Sequence, residues 1–312
     1  EIVPSSTNVS FYAKSVKEKS VLRSMIKTAS EIIVESQTDQ VVVDEFVDEA
    51  EKKLFEISQN KKRSGFVSSA ELAKETLKII ENLTTRKQAV TGVSSGFKKL
   101  DKMTSGFQNS DLIIIAARPG MGKTSFSLNV LMHAALVHGL NVGFFSLEMA
   151  KEQLMMRMLS AKSKINFGKI RTGFLSDAEF QKTVDAATSL QRANIFIDDT
   201  PAINSLDLRS RTRRLQADKG IDLLIVDYLQ LMRGTGRTES REREIAEISL
   251  SLKALAKEMK IPIIAISQLS RQTEARTDKK PQLSDLRESG ALEQDADMVM
   301  FLHRADAYKR NI

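Results

Sequence analysis

Several short stretches of the chain carry residue types that together could bind and cleave a polyphosphate. The first is Ala116-Ala117-Arg118-Pro119-Gly120-Met121-Gly122-Lys123-Thr124-Ser125, which follows the apolar run Leu112-Ile113-Ile114-Ile115. A loop between a strand and a helix start offers an anion unpaired backbone N–H groups and the positive end of the helix dipole. Gly120 and Gly122 let the backbone curl around a phosphate. Lys123 is expected to reach the β- and γ-phosphates, and the Thr124 hydroxyl to serve Mg²⁺. The expected nucleotide contacts therefore run through Ala117, Arg118, Pro119, Gly120, Met121, Gly122, Lys123, Thr124 and Ser125. The general pattern asks for glycine where Ala117 stands. A methyl group is tolerable there if φ stays negative. Pro119 removes one N–H but stiffens the loop.

Cleavage needs a second anchor for the metal and a base for water. Leu223-Leu224-Ile225-Val226-Asp227 is an apolar strand ending in a carboxylate, so Asp227 is expected to hold Mg²⁺ with Thr124. Asp222, at the other end of that strand, is a decoy. Phe144-Phe145-Ser146-Leu147-Glu148-Met149 places Glu148 just beyond another strand, where a carboxylate could orient water. Ile264-Ala265-Ile266-Ser267-Gln268 ends in a neutral amide that could contact a γ-phosphate and register its loss. In open α/β sheets the carboxyl ends of strands line the ligand crevice. Lys123, Glu148 and Asp227 are therefore expected to converge, with Glu148, Lys123 and Gln268 as the catalytic set.

The elements that must hold these residues are readable from hydropathy. Apolar β-branched runs at Leu112–Ala116, Val142–Phe145, Ile195–Ile197, Leu223–Val226, Pro262–Ile266 and Met298–Leu302 alternate with helical patterns. Nearly continuous apolar strands are buried on both faces, so a mainly parallel sheet covered by helices is expected. Before residue 92 the pattern is helical. Tyr12, Val16, Val21, Leu22, Met25, Ile26, Ile32 and Ile33 suggest one helix, and 44–58 a second, making a helical hairpin over 1–60. A polar stretch at 60–65 opens a linker over 61–91. Within it Ser68 and Glu71 form a capping box ahead of an apolar-striped helix at about 68–83. That helix either packs on its own chain or docks on a neighbouring subunit.

The 312 residues carry 47 Lys plus Arg against 40 Asp plus Glu, a net charge of +7. This modest excess permits a polyanionic partner without requiring one. The absence of cysteine excludes disulfides, thiolate metal sites and thiol catalysis. No apolar run approaches a membrane span, and no signal peptide is expected. His133 and His138, five apart on one expected helix, are poorly spaced for one face and are read as ordinary helix residues rather than metal ligands.

These residues resemble the RecA-like motor domain of the DnaB family of bacterial replicative helicases. The resemblance rests on Thr104-Ser105-Gly106-Phe107, the variant loop Ala117–Thr124, Ser146-Leu147-Glu148-Met149 and Asp227-Tyr228-Leu229-Gln230. It continues through Ser267-Gln268-Leu269-Ser270-Arg271, Ser284-Asp285-Leu286-Arg287-Glu288-Ser289-Gly290 and Glu293-Gln294-Asp295-Ala296-Asp297. It implies a P-loop ATPase using ATP and Mg²⁺. It further implies a cytoplasmic homohexameric ring in the bacterial replisome, moving 5′ to 3′ on single-stranded DNA and parting the duplex. Glu148 is then the catalytic base, the linker helix docks on the adjacent motor domain, and primase and a helicase loader are partners. Arg287, Glu288 and Gly290 are implied to line the DNA channel, with the basic loop at Arg233 and Arg237 also facing it. An Arg side chain and a glycine N–H can each bind phosphate, whereas the Glu288 carboxylate cannot. The motor domain, 92–312, is expected to be incomplete at its C-terminus, since the family's trans-acting arginine lies on a strand beyond the last one here. The rival readings are a recombinase or other DNA-binding ring that does not unwind, and a scaffold whose nucleotide merely joins subunits.

Overall fold

The computed structural model describes residues 9–37, 46, 50, 53, 54, 67–86, 89–234, 240–276 and 278–308. The chain divides into two compact units, Glu1–Thr85 and Arg86–Ile312. In the first, a 28-residue helix spans Val9–Ser36. Most of the expected second helix over 44–58 lies outside the described residues, but Phe46, Ala50, Lys53 and Leu54 are helical. Lys53 Nζ donates to Glu35 Oε1 at 2.7 Å. A further helix spans Ser69–Arg86, and the Glu71 N–H donates to Ser68 Oγ at 3.3 Å, one arm of the expected cap. Leu72, Leu77, Ile79, Ile80 and Leu83 on it are exposed.

The second unit is built on six parallel strands: β1 (Leu112–Ala117), β2 (Val142–Ser146), β3 (Ile195–Asp198), β4 (Leu223–Asp227), β5 (Ile263–Gln268) and β6 (Met298–Phe301). Their order across the sheet is β3-β2-β4-β5-β1-β6, and every pairing is parallel. β1 is buried at all six positions. Its alternate residues face opposite sides: Leu112, Ile114 and Ala116 enter one core with Ile248 and Leu252 of the helix Arg241–Met259. Ile113 and Ile115 enter another with Leu128 and Leu131 of the helix Lys123–Val137 and Met158 of the helix Lys151–Ser163. Each such buried aliphatic side chain contributes about 1.5–3 kcal/mol relative to exposure, an upper bound because denatured chains already bury some surface.

Below the sheet, Thr104–Phe107 closes the base. The Gly92 N–H donates to the Ser105 carbonyl at 3.0 Å, Val93 bridges Phe107, and Phe107 is fully buried. Gly106 has φ +83°, and a Cβ there would sit 2.9 Å from the Val93 carbonyl oxygen, so this turn requires glycine.

Candidate nucleotide site

The phosphate loop lies between β1 and the helix Lys123–Val137, whose N-cap is Gly122. Gly120 and Gly122 have φ +76° and +97°, and nothing lies within 4 Å of a Cβ built on either. The loop thus combines left-handed backbone with open space, the shape of a cradle for an anion. Ala117 is fully buried at the end of β1, in register with Gln268. It is absent from the positive-φ residues, so this position makes no demand for glycine. Arg118 departs from a simple phosphate role. Its Nη1 donates to the Leu269 carbonyl at 2.8 Å and its Nε to Glu274 Oε1 at 2.8 Å. The guanidinium is thereby drawn to the chain after β5 while its charge still acts on Lys123, and within the loop the Met121 N–H donates to the Arg118 carbonyl at 3.3 Å.

Asp227 closes β4 at 2% exposure. Thr124 Oγ1 donates to its Oδ2 at 2.7 Å, while its buried Oδ1 has no hydrogen-bond partner among the described residues. An orphaned carboxylate oxygen beside a hydroxyl, at the mouth of a phosphate cradle, is the donor set for a hard divalent cation sharing its coordination with phosphate oxygens. Burial pushes the Asp227 carboxyl up, against the pull of the Thr124 hydrogen bond and of Lys123. Burial pushes the Lys123 ammonium down, against the attraction of Asp227 and Glu148. Lys123 Nζ stands 5.2 Å from the centre of the Tyr228 ring. Burial thus works against both key charges, a cost that an anionic ligand with its cation would relieve.

The expected convergence is present. Glu148 is exposed just past β2, and its charge acts on both Lys123 and Asp227. Its turn is tied to β4: the Leu147 N–H donates to the Asp227 carbonyl at 2.7 Å. Ser146 Oγ donates to the Met149 carbonyl at 2.6 Å. Gln268 ends β5 beside them, and its backbone N–H donates to Gln230 Oε1 at 3.2 Å.

Gln230, quoted within its motif but given no role, is a residue that sequence reasoning missed. Its Nε2 donates to Ser267 Oγ at 2.9 Å and to the Gln268 carbonyl at 3.3 Å, tying the segment after β4 to the end of β5. Arg157 was also missed: its guanidinium lies over Phe167 at 5.1 Å, its charge acts on Asp227, and its buried Nε has no hydrogen-bond partner among the described residues.

His133 and His138 correct the spacing argument. Their Nε2 atoms lie 3.3 Å apart, with His138 the C-cap residue of the helix. No group of three or more potential metal-binding side chains occurs among the described residues. Arg233 is exposed, and its N–H donates to the Ile203 carbonyl at 3.2 Å. Arg237 lies outside the described residues. Arg287, Glu288 and Gly290 fall on a 3₁₀ turn at Leu283–Ser289 and the helix Gly290–Asp295 that follows it.

A parallel sheet with a phosphate loop after β1, a carboxylate after β2 and a buried aspartate ending β4 defines a P-loop ATPase of the RecA-like class. The family model described as the DnaB-like helicase C terminal domain matches residues 92–312. Over all 312 residues the chain is 48% identical to the replicative DNA helicase DnaB of Geobacillus stearothermophilus, spanning 69% of that protein. It is 46% identical over 309 residues to the replicative DNA helicase DnaC of Bacillus subtilis, covering 99% of this chain and 68% of that one. A solved structure of a DnaB-like replicative helicase and its interactions with primase matches at a TM-score of 0.79 and 35% identity, covering 99% of this chain and 72% of the other. The chain belongs to the DnaB-like helicase family, and it is an ATP-hydrolysing replicative DNA helicase.

Proposed function

We propose that ATP binds in the Ala117–Ser125 cradle and that its hydrolysis drives a homohexameric ring 5′ to 3′ along single-stranded DNA at the replication fork. The observation that carries this is the partnerless Asp227 Oδ1 beside the Thr124 hydroxyl, opposite Lys123 and Glu148. Thr124 and Asp227 would hold Mg²⁺, which when bound neutralises charge on the β- and γ-phosphate oxygens. Lys123 holds the terminal phosphate. Glu148 accepts the proton of the attacking water, and the Leu147–Asp227 backbone bond ties its turn to β4. Gln268 faces the γ-phosphate and changes its contacts when the phosphate leaves.

Arg287, Glu288 and Gly290, with Arg233 and Arg237, are assigned to the DNA backbone. The basic loop 233–238 has no aromatic residue, in keeping with backbone tracking rather than base stacking. We assign 1–60 to the end of an N-terminal helical domain, 61–91 to a linker and 92–312 to the motor. The exposed apolar side chains of the Ser69–Arg86 helix support its docking on a neighbouring motor domain. Primase and a helicase loader are the proposed partners, and the bacterial cytoplasm, at the nucleoid, the proposed location. Among the described residues no helix is long and apolar enough to cross a membrane.

The test is a forked duplex carrying a 5′ or a 3′ single-stranded tail. The full-length protein should separate the 5′-tailed fork with ATP and Mg²⁺, and Glu148→Gln should not. Equal separation of both forks would overturn the polarity. ATP turnover and DNA binding without strand separation would favour the non-unwinding ring.

A further inference from the structure

The segment that begins at Arg287 is anchored at its start to chain leaving β5. Beyond Gln268, the Leu269 N–H donates to the Ala117 carbonyl at 3.2 Å. Arg118 then grips this stretch twice, through the Leu269 carbonyl and Glu274. Further along, the Ser270 N–H donates to the Asp285 carbonyl at 3.1 Å. Arg276 clasps the Asp285 carboxylate with both arms, Nη1 to Oδ1 at 2.9 Å and Nη2 to Oδ2. Arg276 Nη2 also donates to the Lys280 carbonyl at 2.7 Å. The Gln282 N–H completes the cage, donating to Asp285 Oδ2 at 2.8 Å. Asp285 is 2% exposed, and Leu286 beside it is buried in the same core as Leu269.

Two features distinguish this arrangement from incidental surface pairing. A two-armed Arg–carboxylate pair fixes one relative geometry rather than a family of them. A buried carboxylate also cannot be left without its cation at low cost, so the segment at Asp285 moves with Arg276 or not at all. Arg276 itself stands two residues beyond Glu274, at the end of the stretch that Arg118 of the phosphate loop holds.

We propose that the Arg118–Glu274 and Arg276–Asp285 pairs form one positioning link, through which the phosphate loop and the end of β5 set the placement of the segment starting at Arg287. The link rests on the reading of that segment as a DNA contact. Arg276 and Asp285 are assigned as positioning residues, acting through the segment they hold rather than on nucleotide or DNA. With the pair intact, loss of the γ-phosphate at Gln268 shifts Leu269–Arg276 and carries Asp285, and hence the turn bearing Arg287, with it.

The test uses the full-length protein with Arg276→Gln, Arg276→Lys and, as a control on the DNA reading, Arg287→Ala. In Arg276→Gln, turnover without DNA should stay within about twofold of the parent, while stimulation by oligo-dT falls about tenfold, a usual size for coupling between two sites. The ratio of DNA affinities with a non-hydrolysable ATP analogue and with ADP should fall towards one. Arg276→Lys, which keeps charge but loses the two-armed grip, should lie between, and decides alone if the Gln variant does not fold. If Arg287→Ala binds oligo-dT as tightly as the parent, the DNA reading fails and takes the link with it. If Arg287→Ala binds weakly but the Arg276 variants keep full stimulation and an unchanged affinity ratio, the link is overturned and the DNA reading stands.

Discussion

The two ends of the sheet treat charge in opposite ways. At the N-terminal ends of the strands, Asp222 accepts the Asn141 N–H at 2.8 Å. Asp297 accepts the Leu112 N–H at 2.7 Å and pairs with Lys253. Burial opposes the Asp297 anion, but the Lys253 and Leu112 hydrogen bonds outweigh it and hold its carboxyl below the ordinary range. Asp111, alongside, is pushed up by burial and by its neighbour Asp297. At the C-terminal ends, Asp227 keeps an oxygen without a partner and Lys123 is buried against its own charge. One end uses Asp222 and Asp297 to close the fold, with the disfavoured Asp111 beside them. The other holds Asp227 and Lys123 in a state that a ligand would relieve, a common mark of a functional site.

Substitutions at the two ends should therefore separate activity from stability. The largest effects belong to the nucleotide end. Lys123→Ala should cut ATP turnover by about 10²–10³-fold or more, the usual loss when one contact to developing charge is removed. Glu148→Gln should cut it about 10²–10⁴-fold while nucleotide still binds, since only the proton acceptor is lost. Steady-state turnover with fluorescent-nucleotide titration checks both, and turnover unchanged in Glu148→Gln would remove Glu148 from the role of base.

At the opposite end the pattern should invert. Asp297→Asn should leave turnover intact yet lower stability by about 1 kcal/mol, discounted because the pair is partly exposed. That corresponds to about 2–4 °C in melting temperature for a unit of this size. The sign with pH follows from the lowered carboxyl: the Asp297 contribution is full above its unfolded value and lost as pH falls through its folded value. The melting difference between parent and Asp297→Asn should therefore shrink in acid. The smallest effect is at Ala117. Ala117→Gly should leave ATP affinity nearly unchanged and lower stability by about 0.5–1 kcal/mol, the entropic cost of glycine in a strand.

Much of this was legible in the sequence, and the gaps have physical causes. All six strands announce themselves because a parallel strand covered on both faces must be apolar throughout. Two functional ends were legible as well: β4 closes on Asp227 and β5 on Gln268, in register with Ser146 and Ala117. The phosphate loop, Asp227 and Glu148 were legible because their chemistry is tied to fixed places after strands. Arg118 could be placed in the loop, but its aim towards Glu274, 156 residues away, is a tertiary fact. The same holds for Gln230 reaching β5 and for the His133–His138 contact, which depends on where a helix ends.

The central claim, that burial at the C-terminal end of the sheet disfavours a charge that a cation and nucleotide would relieve, is tested most directly by melting Asp227→Asn beside the parent. Because the Asp227 carboxyl is raised by burial, the stability tied to its protonated form is lost as pH climbs through its folded value. Without ligand at neutral pH, the variant should therefore melt higher than the parent, and the advantage should narrow as the pH is lowered. With ATP and Mg²⁺ the order should reverse, the parent gaining most and the variant little. A variant that melts lower than the parent without ligand, or that gains as much from ATP and Mg²⁺, would contradict the account.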